Sequence, residues 1–288
     1  MITIFTPTYN RGYILERLYN SLKKQSNKNF EWIIVDDGST DNTTEIVDNW
    51  MKENIINIKY YKQENQGKMI AHNLGVEKAK GELFVCVDSD DWLNKDAVSI
   101  VLDYWHKNNQ NGIIGIVCPR VDKNNNFIGR FPTKKLIKST LIDLYGKYGL
   151  KGDTMLIYKT SIIKKYSFPK IEDEKFIPET YLYDKLDQEG ELLLLNEKLY
   201  NVEYLQDGYS KNIKKIIKKN PKGYCLYAKN RIVLAKTVKQ KYKAAAQYIL
   251  CNWIDNKKVK IRYEKNKIII FFAIPAAYII YLKYYKGN

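Results

Sequence analysis

The first part of the chain alternates short apolar runs with amphipathic segments, and this rhythm constrains the fold more than any other feature. Apolar-rich runs occur at 2–5, 30–35, 55–61 and 84–87. Runs of this length are typical of strands buried on both faces. Because apolar residues at helical spacing follow each run, the alternation predicts an α/β fold with a mainly parallel sheet and helices on both faces.

Acidic residues follow two of these predicted strands. Asp36-Asp37-Gly38 ends the second strand, and Asp88-Ser89-Asp90-Asp91 ends the fourth. The carboxyl ends of parallel strands meet at one edge of a sheet, which is where ligands bind in open α/β folds. We therefore expect the turns that leave the strands to form one rim. The rim comprises residues 6–11, 36–39, 66–68 and 88–91.

The spacing of Asp88 and Asp90 indicates a divalent cation. Two carboxylates one residue apart repel each other unless a cation lies between them. Oxygen ligands favour Mg²⁺ or Mn²⁺, which usually complete their shell with water and substrate phosphates. The alternative is that Ser89-Asp90-Asp91 begins the helix predicted for 94–106, because Ser and Asp are common N-caps.

Composition restricts the partners and the compartment. The formal net charge of +16 favours an anionic partner, either nucleic acid, a membrane surface or a phosphorylated substrate. The four cysteines are widely spaced without a CxxC pair, so we expect no structural zinc and a reducing, cytosolic location. We expect residues 1–6 to form a strand rather than a signal peptide, because no charged segment precedes the apolar residues. Neither GxGxxG after the first strand nor GxxxxGK[ST] occurs, so nucleotide binding would need other devices.

Four motifs in the first 95 or so residues resemble those of family 2 glycosyltransferases in order and spacing. They are Thr6-Pro7-Thr8-Tyr9-Asn10-Arg11, Val35-Asp36-Asp37-Gly38-Ser39-Thr40-Asp41, Asn65-Gln66-Gly67-Lys68 and Val87-Asp88-Ser89-Asp90-Asp91. The resemblance implies a bacterial enzyme with the GT-A (Rossmann-like) fold. It also implies a domain over residues 1–205, with a nucleotide-sugar half at 1–95 and an acceptor half at 96–205. Residues 206–288 would form a basic helical region.

The resemblance implies a UDP-sugar donor and a set of residues that bind it. These residues are Thr6, Pro7, Tyr9, Arg11, Asp37, Lys68, Asp88 and Ser89. Tyr9 would stack on uracil beside the backbone of Thr6 and Pro7, and Asp37 would accept the N3 hydrogen of the base. Asp90 would bind Mn²⁺ or Mg²⁺ directly, with Asp88 placed for the metal or the ribose. Lys68 is a point charge for the phosphates or a solvated helix start. His72 is interpreted as a packing residue.

Members of the family carry a catalytic carboxylate after a later strand, often as Glu-Asp at a helix start. The comparable position is Glu179, followed here by Thr180 instead of Asp, so Glu179 is the predicted general base. Asp153, Glu172 and Asp173 compete for that role. The resemblance implies transfer with inversion in a single displacement.

The C-terminal region combines lysines with apolar residues. Six lysines at 211–222 surround Ile213, Ile216 and Ile217, and an apolar tail at 268–282 is interrupted by Pro275 and flanked by Lys265, Lys267, Lys283 and Lys286. About 15 apolar residues are too few for a comfortable span, which needs about 20. We therefore expect the tail to lie on the anionic cytoplasmic face of the bacterial inner membrane. Alternatively, it is a buried terminal helix or a homodimer contact.

A peripheral location suits a glycan acceptor carried on a polyprenyl phosphate, as in capsule or lipopolysaccharide synthesis. Two other functions compete with sugar transfer. Sugar nucleotidyltransferases share the sheet and metal but usually have a Gly-rich loop after the first strand, which residues 6–12 lack. A non-enzymatic nucleic-acid-binding protein fits the charge, but the acidic rim would repel a phosphate backbone, so we expect no nucleic acid partner.

Overall fold

The computed structural model describes residues 1–133, 135–203, 209–259, 261 and 266–286, with residues 209–211 described by their backbone alone. The chain divides into two compact units. Unit 1 comprises Met1–Ser167 and Leu186–Glu203, and unit 2 comprises Phe168–Lys185 and Tyr204–Asn288. The predicted boundary at 205/206, Lys265 and the side chain of Lys211 lie outside the described residues.

Strands and helices alternate as the sequence pattern predicts. The strands are β1 (Ile2–Thr8), β2 (Phe30–Asp36), β3 (Ile58–Lys62), β4 (Leu83–Cys86), β5 (Trp92–Leu93), β6 (Ile113–Val121), β7 (Lys138–Ser139), β8 (Thr154–Lys159), β9 (Glu191–Leu194) and β10 (Tyr200–Asn201). The helices are α1 (Gly12–Lys23), α2 (Thr43–Glu53), α3 (Lys68–Lys78), α4 (Ala97–Asn108), α5 (Leu141–Gly146), α6 (Thr160–Ile163), α7 (Thr180–Leu186), α8 (Tyr209–Lys219), α9 (Pro221–Leu234), α10 (Val238–Ile254) and α11 (Lys267–Tyr284).

The sheet of unit 1 is parallel at one side and mixed at the other. Within the described residues its strand order is β3-β2-β1-β4-β8-β6-β10-β5, with β9 beside β6 and β7 beside β9. β1, β2, β3 and β4 are mutually parallel. β8 runs antiparallel to both β4 and β6, so β6 runs in the same direction as β4. The carboxyl ends of β1, β2, β4 and β6 therefore share one edge with the amino end of β8.

Helices cover both faces of this sheet, which explains why β1 and β2 are buried along their whole length. On one face, α1 and α2 bring Tyr19 and Trp50 into a stack with 4.3 Å between ring centroids, next to Trp32 of β2. On the other face, α3 packs on β1. A Cβ atom at Gly75 would lie 2.2 Å from the ring of Phe5, so this close approach requires glycine. The predicted α/β architecture is confirmed.

One local prediction was wrong. Thr6, Pro7 and Thr8 were expected in the first turn, but they extend β1 and pair with β2 as far as Asp36. β1 accommodates the polar residues because Thr6 Oγ1 accepts a hydrogen bond from Trp32 Nε1 at 2.9 Å inside the core. Pro7 is tolerated because the pairing with β4 ends at Phe5.

α2 begins at Thr43 with Asn42 at its N-cap position, so Ser39 and Thr40 do not cap this helix although Ser and Thr are common N-caps. The Asp41 carboxylate accepts hydrogen bonds from the backbone and hydroxyl of Thr43 at 3.1 and 2.6 Å. Ser39 instead accepts a bond from the backbone N–H of Asn10 at 2.8 Å. Its hydroxyl therefore ties the second turn of the rim to the first.

Unit 2 contains a helical core in which α10 packs against α9 and α11. Small residues allow this packing, including Ala228 on α9, Ala244 and Ala245 on α10, and Ala273 and Ala277 on α11. Among the described helices, α11 alone is long and apolar enough to cross a membrane, with a mean hydropathy of 1.6 over 18 residues, of which 17% are buried. Pro275, which interrupts the apolar tail in the sequence, lies inside this helix.

Candidate active site

The rim predicted from the sequence is present at the carboxyl edge of the parallel strands. The backbone N–H of Asp37 donates to Thr8 O at 2.8 Å, and that of Gln63 donates to Asp36 O at 2.9 Å. These bonds connect the ends of β1, β2 and β3. The N–H of Val87 donates to Phe5 O at 2.8 Å and connects the end of β4 to β1.

Asp37 is held by donors from the loop that precedes α3. Its Oδ1 accepts hydrogen bonds from Gln63 Nε2 at 2.8 Å and Gln66 N at 2.9 Å, and its Oδ2 accepts one from Gly67 N at 2.7 Å. Gly67 has a φ of 93°, a conformation that favours glycine. A carboxylate offers about four acceptor sites, so Asp37 retains capacity for one further donor.

The first turn presents an aromatic side chain. Tyr9 is 47% exposed at the end of β1. The next residue, Asn10, has a φ of 52°, and its side-chain oxygen accepts a hydrogen bond from Thr40 N at 2.8 Å. Asn and Asp tolerate this left-handed conformation better than other L-residues. The turn is therefore fixed against β2's turn while the Tyr9 ring stays accessible.

Lys68, the first residue of α3, is paired with the acidic turn, which we define as Asp88-Ser89-Asp90-Asp91. Its Nζ lies 2.6 Å from Asp88 Oδ1, and the two side chains are 18% and 27% exposed. Burial would raise the pKa of Asp88, but the charges of Lys68 and Arg120 lower it below its usual value. Lys68 therefore begins a helix as the alternative interpretation held, but it is not solvated, since its ammonium group is mostly enclosed and paired.

Asp90 lies in the same turn, but its pKa is raised whereas that of Asp88 is lowered. Burial raises the pKa of its carboxyl group and the charge of Asp88 raises it further, while Arg11 lowers it. Asp88 and Asp90 therefore repel each other, as their spacing predicts, and Arg11 is close enough to act on Asp90. Ser89, between them, is buried.

A divalent cation fits Asp88 and Asp90 only if a substrate supplies further ligands. Within the described residues, no group of three or more His, Cys, Asp and Glu side chains is arranged to hold a metal ion. A cation at Asp88 and Asp90 would need oxygen ligands from a substrate as well. Mg²⁺ and Mn²⁺ commonly bind through one or two carboxylates plus substrate phosphates, so the donor set suits them.

The turn does not begin α4, which was the alternative to a metal site. α4 starts at Ala97 with Asp96 at its N-cap, and Trp92 and Leu93 first form β5, which pairs with β10. Arg17 of α1 supports this segment. Its guanidinium donates to the backbone oxygen of Asp90, pairs with Glu203 and lies 4.1 Å from the centre of the Trp92 ring.

Sequence reasoning missed Arg120 and Tyr200, which reach Asp91 of the acidic turn from other parts of the chain. Tyr200 OH donates to Asp91 Oδ2 at 2.8 Å, and Arg120 Nη1 lies 3.8 Å from the same oxygen. Burial and the charge of Asp88 raise the pKa of Asp91 to about 7, although Arg120 opposes this. Nothing local in the sequence marks these partners, because more than 100 residues separate Tyr200 from the turn.

His72 is a packing residue, as expected. It is buried on α3 with its ring edge-on to Phe5 and Phe84 at 5.6 and 5.5 Å. Burial lowers its pKa to about 3, and the charge of Lys68 adds to this effect. A histidine that stays neutral and enclosed in this way is poorly suited to exchange protons at the rim.

The candidate bases lie in different units. Asp153 is exposed and precedes β8, so it belongs to the rim edge of unit 1. Glu179 lies in unit 2 immediately before α7, at a helix start as predicted, and its carbonyl oxygen accepts the N–H of Leu182 at 2.9 Å. Glu172 and Asp173 also belong to unit 2.

The mixed α/β sheet, with the acidic turn Asp88-Ser89-Asp90-Asp91 at its carboxyl edge, has the GT-A type of fold. Residues 3–167 match the family described as Glycosyl transferase family 2. This match covers more than half of the chain, so the chain belongs to that family. Membership of a glycosyltransferase family sets the nucleotidyltransferase alternative aside.

Several known proteins resemble the chain. An uncharacterized glycosyltransferase of Rickettsia conorii is 38% identical over 109 residues, which are 38% of this chain and 18% of that protein. The chain thus spans under a fifth of that relative. The GalNAc(5)-diNAcBac-PP-undecaprenol beta-1,3-glucosyltransferase of Campylobacter jejuni is 27% identical over 307 aligned residues, covering 100% of this chain and 94% of the relative. S. aureus TarS 1–349 in complex with UDP-GlcNAc superposes with a TM-score of 0.65 at 20% identity, covering 96% of this chain and 80% of TarS 1–349.

Proposed function

We propose that this protein transfers a sugar from a UDP-sugar to a hydroxyl group of a polyprenyl-phosphate-linked glycan, with inversion and with Mn²⁺ or Mg²⁺. The observation that carries the proposal is the enclosed Lys68–Asp88 pair beside Asp90, on the same edge of the sheet as Tyr9 and Asp37. One positive charge and two carboxylates in this position suit the binding of a diphosphate together with a divalent ion. The TarS complex with UDP-GlcNAc supports the choice of donor.

In the proposed donor site, the exposed Tyr9 ring stacks on uracil and Asp37 accepts the N3 hydrogen. Stacking suits an exposed ring, and Asp37 is held rigidly by three donors. Thr6 and Pro7 contribute backbone, since the Thr6 side chain is committed to Trp32. Arg11, Lys68, Asp88 and Ser89 line the path of the ribose and diphosphate.

Asp90, with Asp88, would hold the divalent ion. When bound, the ion would neutralise negative charge that develops on departing UDP. Lys68 contributes to the same end as a fixed positive charge. A carboxylate, either Glu179 or Asp153, would accept the proton of the acceptor hydroxyl. The hydroxyl oxygen then forms a bond to the anomeric carbon as the bond to the diphosphate oxygen breaks, which inverts the configuration.

The relative in C. jejuni supports the proposed acceptor, and unit 2 supports the proposed location. The name of that relative specifies an undecaprenol diphosphate-linked substrate. In unit 2, α11 buries Ile270, Ala273 and Ala277, while Phe271 and Phe272 are 61% and 65% exposed. Lys214 of α8 lies 3.8 Å from the centre of the Tyr284 ring at the end of α11. An exposed pair of phenylalanines and a lysine at the end of the same apolar helix suit the anionic cytoplasmic surface of a bacterial inner membrane.

Calorimetric titration of UDP tests the donor site. Binding is measured with Mn²⁺, with Mg²⁺ and with EDTA, on the wild type, Asp90→Asn and Asp37→Asn. Asp48→Asn on the exposed face of α2 is the matched control. We expect metal-dependent UDP binding that Asp90→Asn abolishes, that Asp37→Asn weakens and that the control retains. Absence of UDP binding by the folded wild type, or displacement of UDP by an oligonucleotide, would contradict the proposal.

A further inference from the structure

Tyr200 occupies a central place behind the acidic turn of unit 1. β10 brings it between two strands, with Tyr200 opposite Leu93 of β5 and opposite Arg120 of β6. The side chain is fully buried. A phenylalanine would fill the same space. The hydrogen bonds of the Tyr200 hydroxyl group therefore show whether this residue does more than pack.

The hydroxyl group is bonded in both directions to the turn. It accepts a hydrogen bond from the backbone N–H of Asp88 at 3.0 Å and donates one to Asp91 Oδ2 at 2.8 Å. One oxygen atom thus fixes the first and last residues of Asp88-Ser89-Asp90-Asp91. The positions of the Asp88 and Asp90 carboxylates between these anchors depend on it.

Arg120 completes this arrangement. Its guanidinium carbon lies 4.2 Å from the centre of the Tyr200 ring, and its Nη1 lies 3.8 Å from Asp91 Oδ2. A planar guanidinium stacks on an aromatic ring more favourably than an ammonium group does. Arg120 therefore balances the charge of Asp91 and stacks on the ring of Tyr200, whose hydroxyl group holds the turn.

We propose that Tyr200 and Arg120 are positioning residues for the cation and diphosphate: Tyr200 fixes the shape of the turn, and Arg120 compensates Asp91 so that Asp88 and Asp90 face the donor. This inference rests on the proposed function. It assigns the three carboxylates of the turn different tasks, with Asp91 directed to the protein and the other two to the ligand. Residues that orient metal ligands typically change metal affinity about 10–100-fold when removed.

The test is the Mn²⁺ concentration that gives half-maximal UDP binding, measured by calorimetry on the full chain. Tyr200→Phe removes only the hydroxyl group, and we expect it to raise this concentration about tenfold or more. In EDTA, Tyr200→Phe and the wild type should bind UDP equally weakly. Tyr104→Phe is the matched control, because the Tyr104 hydroxyl donates to the backbone oxygen of Leu194 at 2.9 Å rather than to the turn. The control should keep the wild-type Mn²⁺ dependence.

A second variant keeps the test decisive if Tyr200→Phe does not fold. Arg120→Lys keeps the positive charge but loses the planar stack, and we expect a smaller rise in the required Mn²⁺ concentration. Wild-type Mn²⁺ dependence in both folded variants, or in Arg120→Lys where it alone folds, would overturn the inference while leaving the proposed function intact. Absence of any Mn²⁺ effect on UDP binding by the wild type would overturn the proposed function and this inference with it.

Discussion

The ammonium group of Lys68, at the start of α3, lies 2.6 Å from Oδ1 of Asp88, beyond the end of β4. This pair places a fixed positive charge beside the two carboxylates predicted to receive a metal and a diphosphate. Without it, the negative charges of Asp88 and Asp90 would act on an incoming diphosphate with less compensation.

Replacement of Lys68 by methionine should therefore weaken UDP binding on the order of tenfold, about 1.4 kcal/mol. Lys68→Arg, which keeps the charge, should lose less. The measurement is calorimetric titration of UDP in saturating Mn²⁺. Lys78→Met at the exposed end of the same helix is the control. Equal affinity in Lys68→Met and the wild type would show that Lys68 does not act on the diphosphate.

His72 makes a pH-dependent contribution to stability. Its pKa is about 3 in the folded protein, and the ordinary value is 6.5. Between these values the unfolded chain binds a proton that the folded protein excludes, so stability falls as pH drops from about 6.5 towards 3. From pH 7 to pH 5 this amounts to about 2 kcal/mol.

In His72→Gln that loss should be absent, so the free energy of unfolding should fall less between pH 7 and pH 5 than it does in the wild type. Chemical denaturation at the two pH values measures the difference. Sugar transfer at pH 7 should persist in this variant, because the ring packs between Phe5 and Phe84. A variant that folds but has lost transfer would instead make His72 part of the catalytic machinery.

The alternation of the first 95 or so residues specified the parallel part of unit 1. Each parallel strand is a local apolar run, so the local pattern was sufficient to predict β1 to β4. Asp37, Asp88 and Asp90 follow their strands directly, so the same pattern located them at the edge of the sheet. The extension of β1 through Thr8 was missed because polar residues do not indicate a buried strand. Only the tertiary bond from Trp32 to Thr6 makes that extension favourable.

The supports of the site could not be predicted in the same way. Tyr200 reaches the turn across more than 100 residues, through two-residue strands that carry almost no periodic pattern. Lys68 was placed correctly at a helix start, but its pairing with Asp88 depends on how α3 lies against β1. Such contacts are set by packing, and packing is not encoded in residue spacing along the chain.

The general base can be assigned by separating chemistry from donor binding. Glu179→Gln should lower kcat about 10²–10⁴-fold, the usual contribution of a general base, while UDP affinity stays unchanged. Asp153→Asn should retain most activity. The measurement combines a transfer assay with UDP calorimetry on both variants. If Asp153→Asn is the inactive variant, the base belongs to the rim of unit 1. If both are active, Glu172 and Asp173 are the next candidates.

The exposed face of α11 should bind anionic membranes without crossing them. Ile270, Ala273 and Ala277 pack into the core of unit 2, so a membrane-spanning α11 would have to leave α10. Double replacement Phe271→Ser and Phe272→Ser should abolish co-sedimentation with vesicles of phosphatidylglycerol and phosphatidylcholine. Val233→Ser with Val238→Ser, at side chains 61% and 73% exposed elsewhere in unit 2, is the matched control.

Because lysines contribute, wild-type binding should weaken with added salt and with neutral vesicles. Retention in cell membranes after alkaline carbonate washing would indicate instead that α11 spans the bilayer.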